Sequence, residues 1–121
     1  MSFIDSSSQT INVISEVELQ SDLIPESSGI SIINNRCWSF NDSGGEPILY
    51  EVDTLTGQVI HQTVLANAQN IDWEAMAYSE NEVFVGDIGN NQGSRQDLKI
   101  YRFPMNELGN ASHQPQARPG R

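Results

Sequence analysis

Asp42, Asp72, Glu74 and Asp87 are the side chains in this sequence whose type and spacing could do chemistry. They lie in three acidic clusters: Asn41-Asp42-Ser43, Asp72-Trp73-Glu74 and Gly86-Asp87-Ile88-Gly89-Asn90-Asn91. Carboxylates and amide carbonyls gathered at one place suit a hard cation. Ca2+ takes about 6–8 oxygen ligands at about 2.3–2.6 Å. The surplus of Asp, Glu and Asn over His and Cys favours Ca2+ or Mg2+ over zinc or copper. The same residues have a second use. Aspartates at strand ends accept bonds from nearby backbone N–H groups, and Asp42 and Asp87 fit that role equally well. Arg95 opens a third reading, an ion pair with Asp87 or Glu74. On a regular strand Asp72 and Glu74 share a face, and such a pair needs a cation or an arginine if it is buried.

Other chemistries have little material. His61 falls in an expected outer strand and His113 in a polar tail, so neither is placed to serve Ser27, Ser28 or Ser43 as a base. No Gly-x-Ser-x-Gly elbow occurs, and Gly86-Asp-Ile-Gly89 is not followed by the Gly-Lys-Ser/Thr of a phosphate loop. The single cysteine, Cys37, excludes an internal disulfide, and zinc spacings are absent. The chain has 16 acidic residues against 6 Lys plus Arg, a formal charge of −10. That balance argues against nucleic acid and anionic membranes and leaves a divalent cation as the natural partner. No basic leader with an apolar stretch begins the chain, and no window approaches ~18 apolar residues. The expectation is a cytoplasmic protein.

The elements that must position these residues read as strands. Asp87 follows Asp42 by 45 residues, and each ends the same local pattern. Ile30 to Gly44 and Ala75 to Gly89 are both an apolar run, a polar turn, a second apolar run and Asp-x-Gly. A period near 45 is that of a propeller blade, roughly 40–50 residues in four strands. The first unit is predicted as strands 30–33, 37–41, 48–52 and 58–65, with turns at Asn34-Asn35 and Asp53–Gly57. The second is predicted as strands 73–78, 82–85 and 98–103, with a long loop 86–97 and Pro104 ending the pairing. Residues 11–20 alternate enough to suggest one more strand. Residues 1–10 and 105–121 read as disordered. Trp38, Trp73 and Tyr101 read as core aromatics. The expected fold is all-β: about two antiparallel, four-stranded, propeller-like blades (28–65 and 72–104) within residues 11–104. Closed propellers take about four to eight blades, so two leave an open ring. The units could instead pack as a small sandwich. Open strand edges invite pairing, so a homo-oligomer is expected.

Several motifs occur here in order: Glu26-Ser-Ser-Gly29, Asn41-Asp-Ser-Gly44, Leu49-Tyr50 with Thr56-Gly57, Asp72-Trp-Glu74, and Gly86-Asp-Ile-Gly-Asn-Asn91 followed by Arg95 and Ile100-Tyr-Arg102. This set resembles a bacterial β-propeller family of mostly uncharacterised proteins, related to the phytase-like and SdiA-regulated propellers. The resemblance covers roughly residues 17–104 and corresponds to the N-terminal portion of longer, often exported members. It implies a propeller with an acidic axial face and bound calcium. Phytase-like members hydrolyse phosphate esters with Ca2+. Two departures remove negative charge: Asn90 stands where the family has an acid, and Ala75 follows Glu74 where it often has Asp. Arg36, Arg95, Lys99 and Arg102 are the only basic residues of the expected folded part, too few for a phosphate cradle. The expected function is a module, non-catalytic alone, that binds Ca2+ or another divalent cation through Asp42, Asp72, Glu74 and Asp87. The alternative is a metal-dependent phosphoesterase that needs further blades.

Overall fold

The structure is a computed structural model that describes residues 7–109. Among these residues, seven strands form two antiparallel sheets. The first sheet is a meander of β1 (Ser27–Ile33), β2 (Arg36–Asn41), β3 (Ile48–Val52) and β4 (Val59–Val64). The second is β5 (Trp73–Tyr78), β6 (Glu82–Asp87) and β7 (Lys99–Pro104), followed by a single 3-10 turn at Met105–Glu107. No helix among the described residues is long and apolar enough to cross a membrane.

Local chemistry explains the turns. Asn34 and Asn35 adopt φ of 53° and 64°, the left-handed pair that a two-residue hairpin requires and that Asn tolerates. In the next turn the Asp53 carboxylate accepts the Leu55 N–H at 2.7 Å, and Gly57 sits at φ 77°. Gly57 is needed for a second reason. A Cβ there would lie 1.9 Å from the Glu18 carbonyl oxygen. The preceding chain crosses at that point, with Gln20 N–H donating to the Gly57 carbonyl at 2.9 Å and Val59 N–H to Gln20 Oε1 at 2.9 Å.

The sheets face one another across one core. Ile33, Trp38, Phe40 and Leu49 of the first sheet meet Trp73, Val83 and Val85 of the second. Met76, Tyr101 and Phe103 fill its margin. Trp73 stands edge-on to Phe40 at 6.1 Å between centroids, a favoured aromatic geometry. The other face of the first sheet has a smaller core. There Ile48, Tyr50 and Val52 are covered by Ile24, with Leu19 and Leu23 beside it.

Two expectations need correction. Residues 11–20 form no strand, and Ile11, Val13 and Ile14 are 74%, 78% and 101% exposed. Alternation creates a strand only where the segment pairs with another, and here Leu19 and Gln20 meet the first sheet on its face and at its hairpin turn. The expected tail begins too early: Leu108 is buried in the main core, and Gly109 N–H donates to Thr63 Oγ1 at 3.1 Å. Residues 1–6 and 110–121, also expected to be disordered, lie outside the described residues. The pairing ends at Pro104 as expected, with Pro104 itself the last paired residue, opposite Glu82, which costs nothing because β7 is an edge strand.

Each sheet opens with a bulged hairpin. In β1, Ser28 is the extra residue between the pairs Ser27–Asn41 and Gly29–Phe40. In β5, Glu74 is the extra residue between Trp73–Asp87 and Ala75–Gly86. Counted from the bulge, Asp87 stands where Asn41 stands in the first hairpin, and Asp42 lies one position beyond. The side-chain bonds agree. Asn41 Oδ1 accepts the Glu26 N–H at 3.2 Å, and Asp87 Oδ1 accepts the Asp72 N–H at 2.8 Å. The matched Asp-x-Gly motifs therefore do not hold equivalent aspartates.

Candidate functional site

Asn70 assembles the site. It is 5% exposed and precedes β5. Its Nδ2 donates to the Asn41 carbonyl at 2.9 Å, and its Oδ1 accepts the Trp73 N–H at 3.0 Å. The Gly44 N–H donates to the Asn70 carbonyl at 3.0 Å. These bonds tie the loop after β2 to the chain that leads into β5. Asp42 thereby comes beside Asp72 and Glu74, and one carboxyl oxygen from each lies within 4.8 Å of the other two. Asp42 and Asp72 are half-buried and Glu74 is exposed.

Two backbone features aim these groups. The bulge at Glu74 breaks the alternation expected from the sequence: Trp73 turns into the core, while Ala75 pairs with Gly86 on the outer face. Asp72 lies pressed against Gly89, where a Cβ would fall 2.1 Å from the Asp72 Cγ. The Gly89 N–H also donates to the Asp72 carbonyl at 3.0 Å. Asp42 keeps part of its turn role, since its Oδ1 accepts the Ser43 N–H at 2.7 Å.

The Glu74 carboxyl is pushed above its ordinary value, first by the hydrogen bond its protonated form shares with Asp72, then by burial, then by the charges of Asp72 and Asp42. An acid whose value is raised on folding holds its proton better in the native state. Its ionisation destabilises the fold as pH rises from the unfolded value through the folded one, and the penalty is complete above both. Glu74→Gln is therefore expected to raise the melting temperature in chelator near neutral pH, and to change it little near pH ~4. Scanning calorimetry at the two pH values checks this; an equal shift at both would remove the repulsion as its cause.

Asp87 is placed differently. It is fully buried beneath the cluster. Its Oδ2 accepts the Ile71 N–H at 3.2 Å, and its Oδ1 accepts Asp72 N–H at 2.8 Å and Arg95 Nη1 at 2.8 Å. The structure thus brings Asp42, Asp72 and Glu74 together and holds Asp87 in the ion pair that was one of its open readings. Arg95 organises the loop between β6 and β7. Its Nη1 also reaches the Gly89 carbonyl at 3.0 Å, its Nε reaches Asp97 Oδ1 at 2.9 Å, and its N–H donates to Asn90 Oδ1 at 3.0 Å. Arg95 in turn holds the Asp97 carboxyl below its usual range. Asn70 and Asp97 are the participants that sequence reading missed. An Asn three residues before the first core residue of a strand is a weak signal for a side-chain-to-backbone tie.

A separate groove of about 710 Å3 opens at the far end of the strands, lined by Asn34, Arg36, Glu80, Asn81, Met105 and Gly109 among others. Its arginine is already matched: Arg36 grips Glu51 through two bonds, at 2.6 and 3.0 Å, and lies over Trp38. Among the described residues, the acidic cluster is the group of three carboxyl side chains close enough together to hold a metal ion. No protein-family model, no curated protein and no solved structure matches the chain.

Proposed function

We propose that this protein is a non-catalytic binding module of two propeller-like blades that takes a divalent cation, Ca2+ first, through Asp42, Asp72 and Glu74. The carrying observation is the convergence of three carboxyls, from the loop after β2, the chain entering β5 and the β5 bulge, within 4.8 Å. Such a convergence is repulsive without a counter-charge, and the nearby arginine is engaged by Asp87 and Asp97. Only oxygen ligands are present in the cluster, which suits a hard cation. Asp87 serves the site from below by holding the Asp72 backbone.

The bulges support the blade reading. Aligning Ser28 with Glu74 relates the hairpins by 46 residues, from their numbering, rather than the 45 of the Asp-x-Gly match. In that register Trp38 and Phe40 correspond to Phe84 and Gly86. Cys37 and Ser39 correspond to Val83 and Val85. The Trp38 face of the first sheet packs on the Val83 face of the second, so two similar units stack front to back, as blades do. β1 and β5 make the closest approach of the sheets, as inner strands would.

The phosphoesterase alternative needs free basic groups. Arg36 is paired with Glu51, Arg95 with Asp87 and Asp97, and Arg102 with Glu82 at 3.7 Å. Binding without catalysis is therefore the better reading. Calcium titration tests it. At ~100 times its Kd, Ca2+ should stabilise the fold by about 2.7 kcal/mol. Asp72→Asn should abolish that gain while leaving the metal-free protein folded. Absence of both binding heat and a melting shift at millimolar Ca2+ would end the proposal.

A further inference from the structure

The contact between the two sheets leaves its front half repeated and uncovered elsewhere on the molecule, and its back half repeated but only partly open. On the front of the first sheet, Leu49 is 0% exposed because the second sheet seals it. Its counterpart in the second sheet follows from the ladders. Leu49 lies two residues before Glu51, which pairs with Trp38, and Ile100 lies two residues before Arg102, which pairs with Phe84. Ile100 is 67% exposed. Ala75 and Ala77 are exposed beside it, and Phe84 and Gly86 are half-buried. On the back of the second sheet, Met76 packs into the main core. Its counterpart on the back of the first sheet is Ile30, which is 70% exposed, with Ile32 at 54%. The strap of Leu19, Leu23 and Ile24 covers Ile48, Tyr50 and Val52 on that face and leaves these two isoleucines open.

We propose that the open front of the second sheet, centred on Ile100, receives the Ile30–Ile32 back of the first sheet of another copy of this chain. The association repeats between molecules the part of the front-to-back contact that Met76 makes within one. The argument is continuity. A surface in the register of the sealed front of the first sheet meets Ile30 and Ile32, the part of the first sheet's back that its strap leaves open. Ile30 stands in the register of the core residue Met76, and alanines at 75 and 77 allow close approach. The contact is head-to-tail, so each copy offers one unused front and one unused back, and association proceeds to a ring or a chain. This inference rests on the front-to-back register of the blade reading and is independent of the cation.

Light scattering in chelator tests it. The wild-type chain should exceed its monomer mass of 13.4 kDa in a concentration-dependent way. Ile100→Lys loses the front and Ile30→Lys loses the back, so each alone should be monomeric. An equimolar mixture should recover a heterodimer, because one variant keeps an intact back and the other an intact front. Ile100→Ser with Ile30→Ser provides the same comparison if a lysine variant unfolds. Wild-type protein that stays monomeric overturns the proposal. So does self-association of Ile30→Lys at wild-type strength, which would mean a symmetric front-to-front dimer, or a mixture that stays monomeric. A monomer whose melting temperature falls with Ile100→Lys would assign the face to the chain's own termini, also against the proposal. Each of these leaves the calcium titration to be judged separately.

Discussion

Asp87→Ala is expected to remove about 3–5 kcal/mol of folding stability, the usual cost of breaking a buried pair from one side. The loss has three parts. Arg95, with a side chain only 15% exposed, keeps Asp97 but loses its buried partner. The Ile71 and Asp72 N–H groups lose the acceptor that holds them. The loop between β6 and β7 loses the anchor about which Arg95 folds it. Asp87→Asn should cost roughly half as much, since an amide oxygen can still accept from the Asp72 backbone but offers no charge to Arg95. The first hairpin is the precedent: Asn41 does that work there. Urea denaturation measures both variants, with an unchanged m-value expected. An Asp87→Ala loss below about 1 kcal/mol would show that the pair contributes no more than an exposed one. A double-mutant cycle with Arg95→Ala should give a coupling energy of about 0.5–3 kcal/mol, as for residues in one network. Because Asp87 holds the Asp72 backbone, Asp87→Asn should also leave calcium binding largely intact, whereas Asp87→Ala should weaken it.

Trp73→Ala should be equally severe, about 3–5 kcal/mol. Trp73 is fully buried where the two sheets meet. It touches Phe40 of the first sheet edge-on, and Tyr101 of its own sheet at 6.4 Å between centroids. Its indole N–H donates to the Gln69 carbonyl at 2.8 Å, which fixes the chain just before Asn70. Alanine would leave a cavity between sheets whose strands come from opposite halves of the chain, so collapse cannot fill it cheaply. Domains of this size hold about 5–15 kcal/mol in total, so the variant should be marginal at room temperature. Trp73→Phe should retain most of the packing and lose the Gln69 bond, at clearly lower cost. Near-ultraviolet circular dichroism and urea titration read both. If Trp73→Ala unfolded only the second sheet while the first kept its cooperative transition, the shared core would be refuted.

The residues differ in how much of this could be read without the fold. Asn34-Asn35 and Asp53–Gly57 announce their turns because each turn is made by the residues within it: left-handed Asn, an aspartate over its own backbone, a glycine at positive φ. β3 and β5 have the bounds their apolar runs predict, because side-chain period and turn residues are local. The acidic residues are visible as a type. Their grouping is not. Asp42 and Asp72 are separated by 30 positions and meet only because Asn70 ties two loops together.

The strand-like alternation of 11–20 was a true local signal that pairs with no strand in the fold. Leu108 looked like tail and is core, because its burial depends on Ile33, Trp38 and Val83 arriving from elsewhere. Likewise the Asp-x-Gly match pointed to Asp42 and Asp87 as equals, yet one is half-buried beside two other carboxyls and one is sealed against Arg95. A single bulged residue, Glu74, decides which side chains face inward in the second hairpin. By itself the amino-acid sequence determined the all-β class, the turns and the strong acidity, since these depend on near neighbours and composition. Only the tertiary structure decided which carboxylates converge, which one is neutralised and which apolar faces stay open, since those depend on partners distant along the chain.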